Sequence, residues 1–149
     1  MMKARSRMAL RGVALAALMG FMTLSASAQK KHIGFVPGNP FSDGVVAGNT
    51  LYVAGQQGPN AKGNVTTTDI TEQTTNAIAA VKKVVEQAGF QMSDIVSVTV
   101  YIADLNDVPK MNDVYKKLMP DPKPARATVK VAGLIGGAKI EISAIAVKK

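Results

Sequence analysis

The chain has no cysteine and only one histidine among its 149 residues. The first absence excludes disulfides and thiolate chemistry, so stability must come from packing and assembly. The second leaves His32 alone in a charged stretch, where it is expected to be exposed. A Ser/His/Asp system has little to build on, and no Gly-x-Gly-x-x-Gly or Walker-type phosphate loop is present. No cluster of Asp and Glu has metal-ligand spacing either. No metal and no cofactor is therefore expected.

What the chain does have is a recognisable start. Lys3, Arg5, Arg7 and Arg11 precede an apolar run of 13 residues, Gly12 to Leu24, and Ala26 and Ala28 then form a small-residue A-x-A site. The run is too short for a hydrocarbon core that needs about 20 residues. A signal peptide over residues 1–28, cleaved after Ala28, is expected, giving a periplasmic or secreted protein with no membrane attachment once cleaved. Its removal takes away four cations and no acid, so the mature chain carries 14 basic against 10 acidic residues. The remaining lysines are scattered and no aromatics interleave with them, which is not the clustered basic face of a nucleic-acid binder.

The mature 121 residues, Gln29 to Lys149, make one domain of ordinary size. Residues 29–43, with Pro37, Gly38 and Pro40, read as an irregular arm. Gly44–Ala47 and Leu51–Ala54 flank Gly48-Asn49 and predict a hairpin. A helix follows, capped by Thr68 or Asp69 with Glu72 at the capping-box position. Its apolar stripe runs through Ile70, Thr74, Ala77, Ile78, Val81, Val84, Val85 and Ala88, and Gly89 closes it. Ile95–Ile102 alternates as a strand. Asp107 and Pro109 start a second helix that three prolines in residues 120–124 must end. Ala127–Val131 and Lys139–Val147 are the last strands. The order β-β-α-β-α-β-β gives an α+β domain over residues 44–149, one mixed sheet with two helices on one face. Apolar residues on the other face point to burial by oligomerisation.

Several segments, in order, resemble one family. Pro124-Ala125-Arg126-Ala127-Thr128 is similar to the Pro-Ala-Arg-Ser/Thr segment of the Rid (reactive intermediate deaminase) family, and Lys139–Val147 (KIEISAIAV) to its last strand. Ala54-Gly55-Gln56 resembles its Ser-Gly-Gln, and Asp94-Ile95-Val96 with Asp104-Leu105-Asn106-Asp107 its central stretch. The resemblance spans about Pro40 to Val147. It implies a chorismate-mutase-like fold, a homotrimer with ligand clefts between subunits, and hydrolysis of reactive 2-imino acids to 2-keto acids and ammonia.

On that resemblance Arg126 is the expected carboxylate clamp, since a guanidinium fork holds a planar carboxylate by two parallel bonds. Glu141 is the expected catalytic residue, orienting or activating water. Asn112 would line the cleft, and the backbone at Gly55 would approach the substrate closely. Two positions depart from the pattern. Phe41 replaces a frequent Tyr and Ala54 a Ser, so two hydroxyls are lost, each worth about 1–3 kcal/mol when it meets substrate. The loop between Asn112 and Arg126 is also shorter by roughly three residues than in typical deaminases. The partner implied is a small imino or keto acid. The alternative is a trimer of the same family that binds such a carboxylate without turning it over. A ribonuclease reading is disfavoured by the single His and the unclustered lysines.

Overall fold

The structure, a computed structural model, describes residues 29–58 and 69–149. The expected signal peptide (1–28), the Thr68 alternative for the helix cap and the Pro59-Asn60 end of the loop lie outside the described residues. Six strands and two α-helices follow in the order β1 (Lys31–Ile33), β2 (Gly44–Ala47), β3 (Thr50–Gln56), α1 (Ile70–Gln87), β4 (Ile95–Ile102), α2 (Val108–Leu118), β5 (Ala125–Lys130) and β6 (Ile140–Val147). The strands form one sheet ordered β1-β2-β3-β6-β4-β5. All pairings are antiparallel except β4 with β5, which α2 connects as the crossover a parallel pair requires.

The arm of residues 29–43 is not wholly irregular, because Lys31–Ile33 forms β1 and pairs with Gly44–Val46. Two of its three side chains are exposed and only Ile33 is buried, so no alternation is visible in the sequence. Its strand conformation comes from the edge of β2 that it completes. The expected hairpin is present: Ala47 pairs with Thr50 across Gly48-Asn49, and Gly48 takes φ 61°, which a turn of this length favours.

Helix α1 begins and ends by local chemistry. The Asp69 carboxylate accepts from the Thr71 amide at 2.8 Å, satisfying one free N–H of the first turn. At the other end the Gly89 amide donates to Glu86 O and the Phe90 amide to Val85 O, both at 2.9 Å, with Gly89 at φ 81°. This double bond pattern needs a left-handed residue at Gly89. Helix α2 starts differently from expectation. Asp107 makes no side-chain cap bond; its carboxylate instead pairs with Lys139 Nζ at 2.8 Å. An ammonium is the stronger partner for a carboxylate than a neutral amide, and Pro109 lacks an N–H to offer.

The core lies between the helices and one sheet face. Val98, Val100 and Ile102 of β4, Ile140, Ile142, Ala144 and Ala146 of β6, and Leu51 and Val53 of β3 are buried against Ala77, Ile78, Val81, Val84 and Val85 of α1 and Met111, Val114 and Tyr115 of α2. The opposite face carries Glu141, Ser143, Ile145, Thr99, Tyr101, Ala127 and Val129, and on β3 Tyr52, which is 51% exposed. No helix among the described residues is long and apolar enough to cross a membrane.

Two glycines give a graded test of this fold. A methyl group on Gly89 would meet only Lys148 Nζ at 3.9 Å, whereas one on Gly58 (φ 66°) would strike the backbone of Asn76 and Ala77 on α1. Gly89→Ala is expected to cost about 1–2 kcal/mol, the left-handed penalty alone. Gly58→Ala should cost about 3 kcal/mol or more, since backbone must move as well. Urea unfolding of the two variants against wild type measures both values.

Candidate functional site

The sheet's helix-free face ends in a cleft of about 520 Å³ lined by Phe41, Asp43, Ala54, Gly55, Gln56, Gln57, Ile135 and Glu141. Four residues singled out in the sequence, Phe41, Ala54, Gly55 and Glu141, thus come together. Strand β3 makes this possible by a bulge. Val53 pairs with Ala144 but Gln56 pairs with Ile142, so Ala54 and Gly55 fall out of register and their backbone swings toward the cleft. A β-carbon at Gly55 would collide with Glu141 Oε1, so glycine here lets the Glu141 side chain keep its place.

Glu141 is half-buried on β6, opposite Tyr101 of β4. Gln57 Nε2 donates to its Oε2 at 2.8 Å. Among the described residues Oε1 accepts no hydrogen bond and no cation pairs with the carboxylate. One oxygen is therefore fixed and the other lies against Gly55, placed to accept a proton from a molecule in the cleft. Asp43 adds a second carboxylate to the lining. No basic side chain lines the cleft among the described residues, so one protomer by itself offers an anionic ligand no counter-charge.

Arg126 and Asn112 stand elsewhere. Arg126 is on edge strand β5 beside Val98 of β4, two strands from β6 and with its side chain on the helix face. Two strand spacings are roughly 10 Å. Its guanidinium lies over the Tyr115 ring at 4.5 Å, a cation–π contact, and Nη1 approaches Met111 Sδ at 4.0 Å. Among the described residues no carboxylate meets it. Asn112, half-buried on α2, sits three residues before Tyr115 and shares that side of the helix. The two groups expected to act on one ligand, Arg126 and Glu141, thus project from opposite faces of the same sheet.

The Arg126 corner holds two hydroxyls that the sequence gave no reason to separate from core. Tyr115 Oη and Thr128 Oγ1 are buried with no hydrogen-bond partner among the described residues. Burial pushes the Tyr115 phenol above its ordinary value of 10.0, and the neighbouring Arg126 charge works against that shift. Gln57, Asp43 and Ile135 were also missed in the cleft. Gln57 repeats the amide of Gln56 and nothing local marks it, while Asp43 sat in a segment read as an arm. His32, exposed as expected, bonds Ser42 Oγ through Nδ1 at 2.9 Å and packs edge-on to Phe35, outside this cleft.

A single mixed sheet with two helices on one face, and a cleft holding a carboxylate at a β-bulge on the other, defines a chorismate-mutase-like α+β domain. Residues 34–148 match the family model described as Endoribonuclease L-PSP, and the chain belongs to that family, to which the Rid motifs pointed. It is 43% identical over 112 residues to the 2-iminobutanoate/2-iminopropanoate deaminase of Dermatophagoides farinae, covering 74% of this chain and 88% of that protein. To a RutC family protein of Pyrococcus horikoshii it is 41% identical over 114 residues, covering 76% and 90%. Among solved structures, Escherichia coli TdcF with bound serine superposes with a TM-score of 0.69 at 33% identity, covering 79% of this chain and 94% of that one. The YjgF product of the same organism gives 0.70 at 35%, with the same coverage.

The raised Tyr115 value has a defined sign. The folded state favours the neutral phenol, so above pH 10 the unfolded chain releases this proton first. Stability is complete below the ordinary tyrosine value and declines as pH rises through and beyond it. Thermal unfolding in alkaline buffers should show a shallower decline in Tyr115→Phe than in wild type.

Proposed function

We propose that the chain is an exported imine deaminase that works as a homotrimer, with each site shared by two subunits. Glu141, Gly55 and the bulge of one subunit form the floor, and Arg126 with Asn112 of the next holds the substrate carboxylate. The observation that carries this reading is the pairing of two incomplete half-sites. Among the described residues, the acid fixed by Gln57 has an open oxygen and no cation, and the arginine stacked on Tyr115 has no acid. They lie on opposite faces, so a second copy of the chain is the simplest way to bring them together. The exposed apolar residues Tyr52, Val129 and Ile145 on the cleft-bearing face support such an assembly. So do the hydroxyls of Tyr115 and Thr128, which have no partner among the described residues and each cost about 1–3 kcal/mol unless a ligand or neighbouring subunit engages it. The name of the mite relative supports the substrate class. The basic start, short apolar run and Ala26/Ala28 site support export.

The chemistry follows from the parts. Arg126 grips the carboxylate of a 2-imino acid by a bidentate fork. Glu141 Oε1 takes a proton from water as the water oxygen attacks the C=N carbon and passes it to the imine nitrogen, giving a neutral tetrahedral amino alcohol. Glu141 then takes the hydroxyl proton and delivers it to the amino nitrogen as the C–N bond breaks, so the C=O of the keto acid forms and ammonia departs. Atoms balance as imine plus water to keto acid plus ammonia. The Gly55 backbone lines the same cleft, which supports a role for it close to the substrate, while Ala54 supplies no hydroxyl.

Phe41 and Ala54 favour one second reading. Both cleft positions lack a hydroxyl, and such a site binds a carboxylate without accelerating hydrolysis. One assay separates the two. The mature protein is added to an L-amino-acid oxidase releasing imino acid, with catalase present and semicarbazide trapping the imine. Faster imine loss that falls about 100-fold or more in Arg126→Ala supports the deaminase, since a charge-assisted clamp is removed. Unchanged loss with measurable binding of 2-oxobutanoate supports the binding protein. Mixing adds a test of the shared site: Arg126→Ala and Glu141→Gln, each inactive alone, should regain activity on the order of a quarter of wild type when refolded together, as random closed assembly predicts. No recovery on mixing, with trimers formed, rejects a shared site.

A further inference from the structure

The cleft of one protomer, about 520 Å³ in volume, is lined by a second acidic residue, Asp43, that the hydrolysis of a three- or four-carbon imino acid with an uncharged side chain does not use. That carboxylate is half-buried and packs against Gly34, which has room for it only because glycine lacks a β-carbon. Among the described residues it has no hydrogen-bond donor and no cation. Phe41 stands two residues before it in the same lining, with its ring 62% exposed. Ile135, from the Gly-rich turn before β6, closes the other side and is 86% exposed.

We propose that Asp43 is a specificity-determining residue that selects substrates with a positively charged side chain, an imino acid of the basic class. The inference rests on the shared-site deaminase reading and names the substrate of that same site. The carboxylate end goes to Arg126 of the neighbouring subunit and the reacting carbon to Glu141. The distal ammonium or guanidinium then meets an anion at Asp43 and the face of an aromatic ring at Phe41, the two groups that favour a cation over a neutral chain. A neutral side chain of equal length leaves Asp43 desolvated and unpaired, so it is disfavoured rather than merely unassisted.

The test compares imino acids released by L-amino-acid oxidase from arginine and from methionine, two unbranched side chains of which only the first is charged, with catalase present and semicarbazide trapping. Wild-type mature protein should show kcat/KM higher for the arginine-derived imine by on the order of tenfold, and Asp43→Asn should bring that ratio close to one. A wild-type preference for the methionine-derived imine overturns the proposal, as does a ratio unchanged in Asp43→Asn. If neither imine is consumed faster than without protein, the deaminase reading fails and binding decides the role of Asp43. Calorimetry with 5-guanidino-2-oxopentanoate and 4-methylthio-2-oxobutanoate should then show the charged keto acid binding more tightly, with the advantage lost in Asp43→Asn. Equal affinities, or no binding of either, overturn it. A change of oligomeric state in Asp43→Asn assigns the carboxylate to a subunit contact and also overturns it.

Discussion

Side chains alternate along a strand, and that alternation sets everything in this molecule's chemistry. On β6 it turns Ile140, Ile142, Ala144 and Ala146 into the core and Glu141 out of it; on β5 it turns Arg126 toward α2 while Ala127 and Val129 face the other way. The core demands the first arrangement, because β6 is a central strand beneath α1. A one-residue slip would bury Glu141 and expose the isoleucines. The acid and the arginine are therefore held apart by the same packing that makes the fold stable. In the proposed assembly each protomer would therefore lend halves to two sites.

Elements governed by local chemistry were legible in the sequence. Helix α1 declares itself at both ends, by an aspartate that bonds the amide two residues on and a glycine that bends the chain back, and β4 by its alternating β-branched run. What escaped depends on distant partners. Strand β1 is three residues with two exposed side chains, and only the edge of β2 makes it a strand. Asp107 carries the signature of a helix cap, but Lys139 arrives from 32 residues away and takes its carboxylate. In the site, Phe41, Ala54, Gly55 and Glu141 were picked out by motif, and the β3 bulge explains why residues so far apart in sequence converge. Gln57 could not be picked out, since its bond to Glu141 joins positions 84 residues apart. That Arg126 and Glu141 use opposite faces needed the strand register, which no motif contains.

The departures at Phe41 and Ala54 acquire a different meaning in this setting. As isolated substitutions they remove hydrogen-bonding capacity. Within the cleft they join Ile135 in making the walls apolar around two acids, so the site as a whole changes character. Polarity is concentrated at Glu141, Gln56, Gln57 and Asp43, and the remaining surface contributes shape and exclusion of water.

Lys139 gives the cleft a stiff foundation. Its amide donates to Gln73 of α1 at 2.7 Å, its ammonium reaches Asp107 at the head of α2, and its carbonyl accepts from the Ala103 amide just past β4. Both helices and the neighbouring strand are thereby bolted to the residue two places before Glu141. Glu141 is thus tied through its own strand to the packed core, whereas Phe41 and Ile135 are exposed on the cleft wall. Substitution at either wall position would leave untouched the bonds that hold the acid in place.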